Sequence, residues 1–250
     1  PKVWEQVSMA YDYGIRDLWI ANVGDIRPDE LPLSFIMELA YDFEGRGTDH
    51  KNETDQFLAG WVEEQFGAYV KDEACKAEIA DVLREYTRIH GLRRPESMNP
   101  KVYHVSHFNE TKKMIRRCEE LIRKTDLIKD KIPVESADTF YGLVYYPAVA
   151  GMNLQLMSLY AALNHWYAEQ GIVAANYYAE KVKAAIDKDA ELTRYYNEEM
   201  AEGKWKGMMM SNHACFVSWN EEGWHFPEVK EIPVAQNTRM LVHAENADCF

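Results

Sequence analysis

Residues Leu18 to Glu30, LWIANVGDIRPDE, begin as an uncharged apolar run and break at Gly24-Asp25 into a turn that carries Arg27, Pro28 and Glu30. An apolar run without charge predicts a strand buried on both faces, as in a parallel α/β sheet, and helix-like segments flank it on either side. Charge arrives only at the carboxyl end. There α/β folds place their active sites, because loops leaving the strand tips present polar groups without burying a charge in the core. Upstream, Val3, Val7, Ala10 and Tyr11 form a helical stripe that Gly14 stops. One βα unit cannot close a sheet, so the opening residues are expected to enter part-way through a larger α/β domain.

Downstream, Pro32 suits the first turn of a helix striped by Leu33, Ile36, Met37, Ala40 and Tyr41 and ending near Glu44. Gly45 to Thr54, GRGTDHKNET, is polar and reads as an exposed connection. From Asp55 to about Glu202 the periodicity is helical. One helix is expected to stop at Gly67 and a second, Ala74 to His90, at Gly91. The prolines of Arg93 to Tyr103 enforce irregular chain. Ser106 or Asn109 is expected to cap a third helix, with Met114, Cys118, Leu121 and Ile122 on one face. A fourth runs from Pro133 to Gln170, kinked or divided at Pro147 and Gly151, and a fifth from Ala174 to Met200. Lys204 to Pro227 holds three tryptophans, two histidines and three consecutive methionines, and with the runs beyond Glu228 it reads as extended or β-prone. The expected fold class is therefore mainly α. It is an antiparallel bundle of about five helices (51–203), preceded by a truncated βα piece (1–50) and followed by an aromatic-rich extended segment (204–250).

A net charge of −13 and a pI near 5.1 argue against nucleic acid as a partner. The most apolar stretch, Tyr141 to Leu163, is interrupted by Pro147, Gly151, Asn153 and Gln155, so no membrane span is expected. Cys75, Cys118, Cys215 and Cys249 have neither CxxC nor metal-ligand spacing and read as free thiols. No metal or cofactor is expected, and no glycine-rich loop supports phosphate binding.

The order WEQ, AYDYG, LWIANVGDIRPDELP, AYDFE, RPESMNPKVYHVSHFNE, YYP, NHWYAEQG, DAELTRYYNEEMAEGKWKGMM, SNHACFVSWN and PEVK resembles glycoside hydrolase family 115, the xylan α-1,2-glucuronidases. Members of that family are much longer: an N-terminal α/β domain, a (β/α)8 barrel bearing the active site, a helical bundle and a β-sandwich-like C-terminal domain. The resemblance implies that these residues are the end of the barrel, the bundle and the first residues beyond it. It implies a xylan-type polysaccharide or oligosaccharide as substrate and a secreted or periplasmic protein. The family pattern at the turn is usually VGDxKP, and here Arg27 replaces its lysine. Barrel strands that supply the other acids are not among these residues, so the fragment alone is expected to be inactive.

Glycoside hydrolysis needs one carboxylic acid to protonate the leaving oxygen and one carboxylate to activate water or attack the sugar. A uronic acid substrate also needs a cation, which Arg supplies bidentately. Asp25 is the candidate catalytic residue, with Arg27 and Glu30 as substrate-binding candidates. The alternative reading is a turn that satisfies its own backbone, with Glu30 serving the following helix N-terminus. Glu5 is expected to face solvent or a neighbouring loop. His213 and Trp219 are further substrate-binding candidates, set against structural roles for a histidine and tryptophans in an aromatic cluster. The adjacent pairs Tyr145-Tyr146, Tyr177-Tyr178 and Tyr195-Tyr196 point to different faces, which leaves room for a structural or dimerising bundle, and so for a homodimer.

Overall fold

The computed structural model describes residues 2–24, 27–50, 53–215 and 225–234. Helix α1 (Lys2–Asp12) ends where the apolar stripe predicts, because Gly14 adopts φ 93° and donates its N–H to the Tyr11 carbonyl. Thereafter come α2 (Glu30–Tyr41), α3 (Phe43–Arg46), α4 (Thr54–Phe66), α5 (Glu73–Leu92), α6 (Glu110–Lys129), α7 (Ala137–Phe140), α8 (Tyr146–Glu169) and α9 (Ala174–Arg194). The chain is mainly helical, and the described residues contain no strand. Residues 18–23 carry no regular secondary structure, and Leu18 and Ile20 are 73% and 85% exposed. The expected strand is thus not formed. A buried parallel strand needs hydrogen-bonded neighbours, and no described residue provides them.

The chain divides into two compact units, Pro1–Gly91 with Thr125–Pro147, and Leu92–Lys124 with Ala148–Phe250. In the first, Phe57, Leu58, Trp61, Val62 and Phe66 of α4 and Ile79, Val82, Leu83 and Ile89 of α5 are all buried. Phe66 is fully buried, edge-on to Trp61 and Phe140. Gly45 to Thr54 lies within this unit, where Phe35 of α2 meets Phe57 edge-on at 4.9 Å. Helix α5 does not stop at Gly91. The glycine falls inside its last turn, and its carbonyl accepts from Lys2 Nζ at 2.7 Å.

A π turn, Tyr141–Tyr145, precedes α8. Pro147 cannot donate to the preceding turn, and the wider winding upstream accommodates that missing bond. Tyr145 and Tyr146 are both buried rather than split between faces, and Tyr145 donates to Asp126 Oδ1 at 2.8 Å.

In the second unit, α8 is buried on nearly every side from Ala148 to Leu163. Its polar residues are tied to main chain: Asn153 donates to the Ala185 carbonyl and Gln155 to that of Arg93. Helix α9 buries Ala175, Ala179, Val182, Ala185, Asp189 and Leu192, a stripe spaced three and four residues apart. Neither Ser106 nor Asn109 caps α6. The His104 carbonyl accepts the Thr111 N–H at 3.2 Å, while the His104 Nδ1 serves the turn before the helix, accepting the N–H of Ser106 at 3.2 Å and of His107 at 2.9 Å, and Glu110 Oε2 accepts the His104 N–H. Cys75 and Cys118 are buried, and Cys75, Cys118 and Cys215 form no disulfide among the described residues; Cys249 lies outside them.

Candidate functional site

In the first unit, the segment following α1 is held by aromatic packing. Tyr11 stacks on Phe43, Trp19 stands edge-on to both, and Trp19 Nε1 donates to the Ile15 carbonyl at 2.7 Å. Trp4 Nε1 donates to the Arg46 carbonyl at 2.8 Å, which ties α1 to the end of α3. The chain bends at Gly24, and Arg27, joined to Pro28 by a cis bond, precedes α2.

Arg27 Nη1 donates to Glu30 Oε1 at 3.0 Å, an i,i+3 pair in which both side chains are mostly covered. Burial raises the Glu30 carboxyl above the usual carboxylate range. It outweighs the hydrogen bond to its own main chain and the attraction of Arg27, and Asp29 adds to the rise. Glu30 Oε2 is buried with no hydrogen-bond partner among the described residues. Burial also raises the Tyr86 hydroxyl, reinforced by the charges of Asp29 and Glu30. One helical turn on, His90 stands edge-on to Tyr86 at 5.3 Å, and burial pushes its pKa down to about 4. The start of α2 and the second half of α5 therefore gather two acids, an arginine, a phenol and a neutral imidazole. Shifted groups of this kind are the material of acid-base chemistry. They also suit a buried structural cluster.

Beside it, Val3, Leu31, Pro32, Phe35, Phe57 and Leu58 line an apolar groove of about 350 Å³, completed by Lys2, Thr54, Thr87, Arg88 and Gly91. A second, more polar cleft of about 600 Å³ lies between α2 and α4, with Glu38, Arg46, Trp61 and Glu64 in its lining. The Arg46–Glu38 pair there is 2.8 Å apart.

Of the residues expected to carry function, Arg27 and Glu30 are brought together. Asp25 and Trp219 lie outside the described residues. His213 belongs to the second unit. Its Nε2–H meets Asp189 Oδ1 and Oδ2 at 3.0 and 3.1 Å, and its Nδ1–H meets the Ser211 carbonyl at 2.9 Å. Both partners are acceptors, so both ring nitrogens carry protons. Burial alone would lower the pKa of this imidazole. The Asp189 carboxylate and the Ser211 carbonyl outweigh it and hold the value above normal. Sequence reasoning does not single out Asp189, although its place on the buried stripe of α9 is a signal, since a carboxylate there requires a partner. Glu5 on α1 is exposed, as expected. Among the described residues no cluster of His, Cys, Asp and Glu could hold a metal ion, and no helix is long and apolar enough to cross a membrane.

The family model for glycosyl hydrolase family 115 matches residues 1–97, which include the Leu18 to Glu30 stretch. Among solved structures, the chain is similar to a family GH115 4-O-methyl-α-glucuronidase with specificity for decorated arabinogalactans. Identity is 25%, the TM-score is 0.71, and the match covers 96% of this chain and 30% of that one. The chain thus spans less than a third of the length of that enzyme. The comparison with curated proteins found no match.

Proposed function

We propose that the chain is part of a family 115 glycoside hydrolase, and that the complete protein removes glucuronic acid or 4-O-methylglucuronic acid from the side chains of a decorated polysaccharide. The observation that carries this reading is the structural likeness over 96% of the chain to an α-glucuronidase, joined to the family match over residues 1–97. Residues 1–50 are read as the closing part of the barrel. The exposed Leu18 and Ile20 agree with a strand whose sheet neighbours belong to other parts of a longer chain. Residues 51–203 are read as its helical domain, and 204–250 as the lead into a β-rich C-terminal domain.

In this reading Asp25 acts as acid or base at the glycosidic oxygen or the attacking water, and Arg27 receives the uronate carboxylate. Arg27 is now bound by Glu30, so the incoming carboxylate exchanges with Glu30 for the same guanidinium. The raised Glu30 carboxyl suits that exchange, because a group that readily takes a proton is displaced without leaving a bare buried charge. His213 is committed to Asp189 and holds its own segment in place, and Trp219 remains the candidate for stacking on a sugar ring.

In the full-length protein, Asp25→Asn should lower turnover by ~10² or more while barely moving stability. Full activity in that variant would end the assignment of this turn as catalytic. Release of glucuronic acid from glucuronoxylan and from a decorated arabinogalactan, compared side by side, decides the polysaccharide class. The isolated 250 residues should release none from either, and robust turnover would move the site elsewhere. A second reading, a bundle that serves as an interaction surface, draws on the 59% exposure of Tyr177. It predicts a dimer by light scattering that Tyr177→Ser dissolves.

A further inference from the structure

Residues 225–234 form neither helix nor turn, and the main chain of 228, 230 and 232 is gripped by side chains of α8 and α9. Asn164 Oδ1 accepts the Lys230 N–H at 2.8 Å, and its Nδ2 donates to the Lys230 carbonyl at 2.8 Å. Asn176 does the same to Ile232, with both bonds at 2.9 Å. His165 Nε2 meets the Glu228 carbonyl at 2.7 Å. In an extended chain, alternate residues turn their N–H and C=O to the same edge, so 228, 230 and 232 present one edge to the helices. A primary amide offers one donor and one acceptor side by side, as a residue of a neighbouring strand does. Two asparagines on helices thus replace a strand.

The sequence supports the grip from both sides. Pro227 and Pro233 bracket the segment and restrict the residues before them to extended backbone, which disfavours a helix there. Asn164 is fully buried and also donates to the Ala175 carbonyl at 2.8 Å, so its amide is oriented before the segment arrives. Charges flank the grip: Lys230 Nζ lies 3.0 Å from Glu169, and Lys183 Nζ lies 2.6 Å from Glu231. All four side chains are between 45% and 65% exposed, so solvent screens these pairs and they add little.

We propose that this face of α8 and α9 is a main-chain docking site of the strand-addition kind, whose occupant is the chain's own segment 228–232, and that the two asparagines rather than the flanking charges hold it. The site reads backbone at 230 and 232 and is indifferent to the side chains there. It sets the position from which the chain continues beyond residue 234.

Trypsin cleavage after Lys230 in the 250-residue chain reads the docking directly, because a protease needs that backbone free. The unaltered chain should be cut slowly. Asn176→Ala should speed the cut about tenfold or more, since two hydrogen bonds are lost. Ile232→Pro, which removes one N–H from the segment and leaves the helices intact, should speed it severalfold with an unchanged helical circular dichroism signal. Glu169→Gln should change the rate less than about twofold. Rates unaltered by both Asn176→Ala and Ile232→Pro would overturn the proposal, as would an equal effect from Glu169→Gln. Protection that vanishes on dilution would put the occupant on a second copy and overturn the intramolecular assignment.

Discussion

Replacing His213 by Gln removes one half of a covered ion pair and leaves the other half in place. Asp189 is 4% exposed and His213 26%, so the carboxylate that remains has little water to turn to. Breaking a buried pair by deleting one partner costs about 3–5 kcal/mol, and the partly exposed ring puts this case near the lower end, about 3 kcal/mol. For a chain of this size that corresponds to a fall in Tm of about 6–12 °C near pH 6. The pH dependence is the sharper test. The folded state holds the His213 proton more tightly than the unfolded chain does, so its stabilisation is fully present below the unfolded value of about 6.5 and is lost as pH rises through the raised folded value. The gap in Tm between the unaltered chain and His213→Gln, measured by calorimetry from about pH 5.5 to 9, should therefore be widest at the acid end and narrow with rising pH. A gap that stays constant over that range would refute the assignment of a doubly protonated ring held by Asp189.

His90 should behave in the opposite sense. Its folded pKa lies near 4, so protonation opposes folding, and stability is lost as pH falls from about 6.5 through 4; His90→Leu should flatten that acid limb in urea titrations at about pH 7, 5 and 4. Phe66→Ala empties a fully buried site between Trp61 and Phe140 and should cost about 3–5 kcal/mol by urea denaturation. Cys75 is buried and burial raises its thiol, so a thiol reagent at neutral pH should label it only after denaturation.

Local chemistry was legible in the sequence, and contacts over long separations were not. The Gly14 stop and the polar break before α4 both come from short-range pattern, and each matches the helices found. The start of α6 is served by His104, whose carbonyl takes the Thr111 N–H and whose Nδ1 takes two N–H groups of the turn before it, a choice that preference for Ser or Asn does not anticipate. Helix α5 ends one residue past the expected stop at Gly91, and the lysine that takes the Gly91 carbonyl comes from 89 residues away. The partners of Asp189, Asn164 and Asn176 lie 24, 66 and 56 residues distant, beyond any window of periodicity. At the candidate site, the turn that carries Arg27 and Glu30 was evident from its charge pattern. The engagement of Arg27 by Glu30 depends on their orientation at the start of a helix, which composition does not encode.

The division into two units has a consequence for anyone cutting this chain. Each unit is assembled from two separated stretches, and α6 and α8 each begin in one unit and end in the other. No single stop codon and no single protease nick releases either unit whole. A truncation after Gly91 forfeits Phe140 and with it a neighbour of Phe66, and one begun at Ala148 forfeits Met114, Cys118 and Leu121. Expression boundaries drawn between Gly91 and Leu92 or between Pro147 and Ala148 would therefore divide each unit's two stretches.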